Sequence, residues 1–206
     1  MKKGFLVICL WSFLLLALTA QAGTVKEYSA DMVNLTTNAT VQKMHIADKM
    51  MRNEVYGPNK EAQAISILRF DQGKMFLLQP QNKTYIEMPA PKDFESINDL
   101  AGIVPGAKID IKREKVGAEK VGDYEAEKFK VTTTVEVMGH KTTMGAYDWV
   151  AEEFAPLPVR SEIPDQKIIM ELRNIKEENQ PIALFEIPDG YKRDNALEDL
   201  MKKMQK

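Results

Sequence analysis

The sequence predicts a mainly β protein: one domain of roughly ten or eleven antiparallel strands with two short helices. Three observations lead there. Apolar residues alternate with a period of two through most of the chain after residue 23. Turn-forming clusters punctuate those runs at short intervals. Helical spacing occurs in only two places, at residues 93–101 and 195–205.

The first strand is expected in Thr24–Leu35. A long one follows in Thr40–Val55, with Met44, Ile46 and Met50 on one face and His45, Lys49 and Met51 on the other. Tyr56-Gly57-Pro58-Asn59 is a turn cluster. Ala64–Asp71 and Lys74–Gln79 flank Asp71-Gln72-Gly73, a tight hairpin connection. Pro80-Gln81-Asn82 turns into Lys83–Met88. These three strands are apolar on both sides: Ile65 and Ile67 against Leu68 and Phe70, Met75 and Leu77 against Phe76 and Leu78. Such strands belong to a sheet covered on both faces.

Phe94, Ile97, Leu100, Ala101 and Val104 then recur at helical spacing, with Asp93 as N-cap and Pro105-Gly106 as the stop. The β pattern resumes in Lys108–Val116, Gly117 and Gly122 mark turns, and Tyr124–Val137 alternates through Phe129, Val131, Thr133 and Val135. Gly139-His140 reads as a two-residue turn into Thr142–Val150. Pro158–Ile163 and Lys167–Lys176 pair across Pro164-Asp165-Gln166, and Ala183–Ile187 is the last short strand. Leu197, Leu200, Met201 and Met204 follow i, i+3, i+4, i+7 in a closing helix whose acidic residues come first and lysines last, as the helix dipole prefers.

The opening segment has a different character. Lys2 and Lys3 precede an apolar run from Phe5 to Leu18, and Ala20-Gln21-Ala22 is a small-x-small cleavage site. That order is a secretory signal peptide over 1–22, cleaved after Ala22, with the folded domain in 23–206. The run is short for a membrane span. The single Cys of the chain, Cys9, lies inside the removed segment, so the exported chain has no disulfide. The expected location is the bacterial periplasm. Asn34-Leu35-Thr36, Asn38-Ala39-Thr40 and Asn82-Lys83-Thr84 fit the N-glycosylation pattern, which matters only in a eukaryotic secretory route.

Two stretches carry a resemblance. Ile65–Pro80 with Lys83-Thr84-Tyr85 holds a strand, an Asp-x-Gly-Lys turn, a second apolar strand and an x-Pro turn. Leu184-Phe185-Glu186-Ile187-Pro188-Asp189-Gly190-Tyr191 closes the domain. In both places the chain resembles the LolA-like superfamily of periplasmic lipoprotein carriers, and most of all a group of secreted bacterial proteins ending in F-E-I-P-x-G-Y. The resemblance implies a strongly curved antiparallel sheet, an incomplete barrel, whose concave apolar face is covered by helices. It also implies binding of lipid or lipoprotein acyl chains without catalysis.

Composition excludes several alternatives. With 28 Lys+Arg against 30 Asp+Glu, the chain lacks the basic footprint of a nucleic-acid binder. One Cys and two His cannot build a structural zinc site, and no metal or other cofactor is expected. Ser29, Ser66, Ser96 and Ser161 lie outside G-x-S-x-G and S-x-x-K, there is no phosphate loop, and His45 and His140 read as solvated surface residues. No catalytic residue is assigned, and the chain is expected not to be an enzyme. Methionine is the unusual residue: eleven of the twelve lie after the signal segment, and methionine suits surfaces that accept varied apolar partners. The expected function is a carrier or binding module. Its hollow is expected to be lined by Met44, Ile46, Met50, Ile65, Ile67, Met75, Leu77, Tyr147 and Trp149. Its cover would be the helices bearing Phe94, Ile97, Leu100, Leu197, Leu200, Met201 and Met204. Its ligand would be a lipid or lipoprotein acyl chain. The alternative is an envelope interaction or assembly protein, with a protein partner and a filled interior.

Overall fold

The computed structural model describes residues 26–90, 107–137, 139–155 and 157–195. The signal segment and both expected helices, with Phe94, Ile97, Leu100, Leu197, Leu200, Met201 and Met204, lie outside the described residues.

Twelve strands form a single open, curved sheet: β1 (Tyr28–Asn34), β2 (Ala39–Ala47), β3 (Met50–Tyr56), β4 (Ala62–Arg69), β5 (Lys74–Gln79), β6 (Thr84–Pro89), β7 (Ala107–Val121), β8 (Tyr124–Val137), β9 (His140–Ala151), β10 (Arg160–Ile163), β11 (Ile168–Glu177) and β12 (Lys192–Arg193). The order across the sheet is β12-β6-β5-β4-β3-β2-β1-β11-β10-β9-β8-β7. The chain therefore makes two antiparallel meanders, β1 to β6 and β7 to β11, joined where β1 pairs with β11. Strand twist curves such a sheet. Bulges at Met32/Val33, Val55/Tyr56 and Lys115/Gly117, and another where β1 meets β11, bend it further.

The structure corrects the sequence reading in four places. Residues 40–55 are two strands, reversed at Asp48-Lys49, so Ile46 opposes Met51 and Ala47 opposes Met50. Met50 therefore lies on the opposite face from Met44 and Ile46. A sixteen-residue strand far exceeds the usual five or six, and the hairpin satisfies the backbone locally. Gly117 is not a turn but part of the bulge in β7, which runs on to Val121. In the β8–β9 hairpin Val137 opposes His140, so Gly139 is the second loop residue rather than the first; its φ is +79°. The Ala183–Ile187 segment is a 3-10 turn over Ile182–Phe185, and the last strand is β12, parallel to β6.

The Asp71-Gln72-Gly73 connection is a tight turn as expected. Gln72 N–H donates to the Arg69 carbonyl at 3.0 Å, and Gly73 has φ +62° with open space around it. Strain, not crowding, makes glycine necessary there. Gly73→Val should cost about 1–3 kcal/mol, read as a lowered denaturation midpoint.

Three apolar clusters hold the sheet. The largest gathers Tyr28, Met32, Met44, Ile46, Met51, Leu68, Phe70 and Met75 with Trp149, Phe154, Leu157 and Val159. Phe154 sits edge-on to both Tyr28 (centroids 5.2 Å) and Tyr124 (4.8 Å), clamping the two meanders together. The second cluster places Ile65, Ile67, Phe76 and Leu78 under Phe185, which is fully buried. The tail that delivers Phe185 is strapped down. The Arg52 guanidinium donates to the Leu184 carbonyl at 3.0 Å, Arg69 to the Phe185 carbonyl at 3.4 Å, and the Gln180 N–H to the Glu27 carboxylate at 2.8 Å. Beyond Gly190 (φ +83°), Lys192 and Asp194 N–H groups bond the carbonyls of Lys83 and Tyr85 along β6. Phe185→Ala should cost about 3–5 kcal/mol, visible as a drop in denaturation midpoint together with faster amide exchange in residues 182–193.

Candidate functional site

Cross-strand register decides which side chains share a face. One row runs Tyr28, Ile46, Met51, Leu68, Met75, Met88 across β1 to β6. The next runs Ala30, Met44, Asn53, Ser66, Leu77, Ile86. A third begins Met32, Gln42, Val55, Ala64. Five methionines, Met32, Met44, Met51, Met75 and Met88, thus stand on one face. The face changes character along the strands, from apolar but for the Tyr28 hydroxyl in the first row to mixed in the next two. Its β1 end is packed tightly by Phe154 and its neighbours. Toward β6 it loosens: Leu77, Ile86 and Met88 are only half-buried. A cleft of about 790 Å3 opens beside it, between the β1–β2 turn at Thr37–Val41 and the β3–β4 turn at Tyr56, Gly57, Pro58 and Lys60. Val41 lines the cleft and also packs on the main core.

The nine residues expected to line a hollow are divided by this geometry. Met44, Ile46, Met75 and Leu77 stand together on the methionine face. Met50, Ile65 and Ile67 are on the reverse face, beneath the Phe185 strap. Tyr147 and Trp149 lie further round, on β9. Trp149 is in register with Arg160, and Arg160 with Glu171, whose neighbour Leu172 opposes Met32. The indole nonetheless packs in the same core cluster as Met32, Val159 and Leu172, and Tyr147 packs against that cluster. The indole N–H donates to Glu119 at 2.5 Å, and the Lys128 ammonium lies 4.4 Å from the Trp149 ring and 5.2 Å from the Tyr147 ring. Sequence reasoning missed Met51, Met88 and Asn53. The signal for Met51 was present in the excessive length of the Thr40–Val55 run.

The histidines are far apart in role. His45 Nδ1 contacts Gln180 Oε1 at 2.8 Å and helps seat the tail. His140 is exposed beside the β8–β9 turn. Among the described residues no group of three or more His, Cys, Asp or Glu is arranged to hold a metal ion.

One buried acid sits in the second meander. Asp148 is 2 % exposed, accepts a hydrogen bond from Ser161 Oγ at 2.7 Å, and lies 4.0 Å from the Arg113 guanidinium, which covers the Phe129 ring. Burial pushes its carboxyl up to about 6, against the opposing pull of Ser161 and Arg113. A raised folded-state pKa means that the fold favours the protonated form. Asp148 therefore contributes stability that is fully present below about pH 4 and is lost as pH rises through 6. Asp148→Asn should abolish that dependence. The difference in unfolding free energy between wild type and variant should change by on the order of 3 kcal/mol between pH 4 and pH 7, measured by urea denaturation across that range.

No protein-family model and no curated protein matches the chain. Solved structures do resemble it in shape. An uncharacterised conserved protein from Thermus thermophilus is 12% identical, covering 82% of this chain and 90% of its own, with a TM-score of 0.47. The lipoprotein LppX of Mycobacterium tuberculosis is 14% identical, covering 84% and 98%, with a TM-score of 0.38. LprF from Mycobacterium bovis is 12% identical, covering 82% and 90%, with a TM-score of 0.32. What this chain does is read from its own surfaces.

Proposed function

We propose that the chain is an exported, non-catalytic binding module of the bacterial envelope that shelters a lipid acyl chain or similar apolar ligand against its methionine face. The observation that carries this reading is the unequal treatment of the two apolar faces of β3–β6. The reverse face is sealed by the chain's own tail, with Phe185 fully buried. The other face presents thioethers and aliphatic side chains that loosen toward Leu77, Ile86 and Met88. Methionine is flexible and polarisable, and adapts to apolar partners of varied shape. Covering roughly 300 Å2 of apolar surface would supply on the order of 8 kcal/mol before association costs, enough for useful affinity without a charged anchor. The signal-peptide pattern at residues 1–22 supports export to the periplasm, and the two LolA-like stretches support a lipid or lipoprotein acyl chain as cargo.

The second reading, an envelope assembly protein with a filled interior and a protein partner, draws on the Tyr28–Phe154–Tyr124 packing, which occupies the β1 end of the same face.

Native mass spectrometry and solvent extraction of protein purified from the envelope fraction separate the two. The carrier reading expects co-purifying lipid; its complete absence favours the filled interior. Leu77→Lys should weaken binding of the apolar dye N-phenylnaphthylamine at least tenfold. The same change should shift stability by only about 1 kcal/mol, because Leu77 is half-buried and away from the strap.

A further inference from the structure

Asn53 is the anomaly on the methionine face. It is 3 % exposed, and its register neighbours are Met44 on β2 and Ser66 on β4. Its side-chain oxygen is buried with no hydrogen-bond partner, Ser66 directly across the ladder included. An interior acceptor in this state is rare, because it has given up its hydrogen bond to water and gained nothing in return. The same face holds a second such group: the Tyr28 hydroxyl, on a side chain 1 % exposed, also has no partner. Among the described residues the other buried side-chain atoms without a hydrogen bond belong to Arg113, whose guanidinium is ion-paired with Asp148 at 4.0 Å. Asp148 has Ser161, and Arg52 has Glu54 and the tail carbonyl. Two unpartnered groups on the one face read as a ligand surface are not scattered defects.

Resting on the reading of that face as a ligand surface, we infer that Asn53 selects the head of the ligand: the cargo is an acyl chain joined to a hydrogen-bond donor, an amide N–H or a hydroxyl, which bonds Asn53 Oδ1. The geometry places that head in the mixed row, between Met44 and Leu77. The apolar tail then lies along the Met51-to-Met88 part of the first row, which at about 4.8 Å per strand spans roughly 14 Å of sheet. An ester or a carboxylate brings only acceptors to this position and leaves the amide oxygen unsatisfied. The Tyr28 hydroxyl can donate as well as accept, so it tolerates either kind of ligand, and discrimination falls to Asn53.

The test uses the full exported chain and two ligands of equal tail length, dodecanamide and methyl dodecanoate, each displacing N-phenylnaphthylamine. The wild-type protein should prefer the amide about tenfold, equivalent to about 1.4 kcal/mol. Asn53→Leu should bring the ratio close to one by losing affinity for the amide while keeping it for the ester. Asn53→Ala serves the same purpose should the leucine variant not fold. Equal wild-type affinities, a preference for the ester, or a tenfold amide preference that survives in the variant would each overturn the assignment of Asn53 while leaving the carrier reading in place. Failure of both ligands to displace the dye, with no lipid co-purifying, would overturn the carrier reading and this inference with it.

Discussion

The pairing of β1 with β11 is the constraint on which the rest depends. Each meander could form from local hairpins, but neither would bury its apolar side chains alone. Joining them brings residues about 140 positions apart into register, from Tyr28 opposite Glu177 to Asn34 opposite Met170. Closing so long a loop costs entropy before any contact offsets it. The seam is accordingly reinforced. Asn174 donates to the Asp31 carboxylate at 2.7 Å, Ser29 Oγ to Glu178 at 3.2 Å, and Lys26 pairs with Glu177. The exposed ion pair adds little; Phe154, wedged between Tyr28 and Tyr124, adds more, because it buries aromatic surface from both meanders at once. A topology so rich in long-range pairing is expected to fold slowly.

With the seam in place, the two faces of the first meander meet different fates. Among the described residues, the tail lies across one of them, the face of Ile65 and Ile67. Arg52 and Arg69 hold its backbone through carbonyls rather than side chains, and Phe185 fills the gap between Ile67 and Phe76. The Leu184–Tyr191 stretch is in this light a fastening: an aromatic to bury, Pro188 to interrupt helix formation, and Gly190 to supply a left-handed bend. The strap covers the reverse face, and the methionine face is the one against which we propose that an apolar ligand lies. Its mixed rows, with Gln42, Asn53 and Ser66 buried among Met44, Val55 and Leu77, suit an amphiphile better than a plain hydrocarbon.

The second meander is built differently. Its interior carries Asp148, Ser161 and Arg113 beside Phe129 and Val131, and its far strand, β7, alternates Lys108, Asp110, Lys112 and Glu114 outward. Charges and a bulge on the strand that ends the sheet order discourage pairing with another chain. The Lys128 ammonium, poised over Trp149 and Tyr147 and paired with Glu119, turns two large aromatics into part of a charged wall. Both rings still pack on the core cluster that holds Met44 and Met75.

The amino-acid sequence by itself determined the class of fold, the positions of most strands and the tight turn at Gly73. These are local matters: a period of two, a polar break, a residue that tolerates positive φ. It also showed that the strands from Ile65 to Met88 are apolar on both sides and that methionine is over-used. It did not determine which side any of those residues would face. A strand's face depends on its register with a partner, and a shift of one residue sends every side chain to the other side. The hairpin at Asp48-Lys49 makes that shift, exchanging Met50 for Met51 beside Ile46. Only the tertiary structure decided that the tail would lie across the face of Ile65 and Ile67, and that the Asn53 side-chain oxygen would be buried beside Met44 without a hydrogen-bond partner. The strap and the unpartnered amide oxygen arise from contacts between segments about 120 residues apart or from alignment across six strands, and no window along the chain contains them.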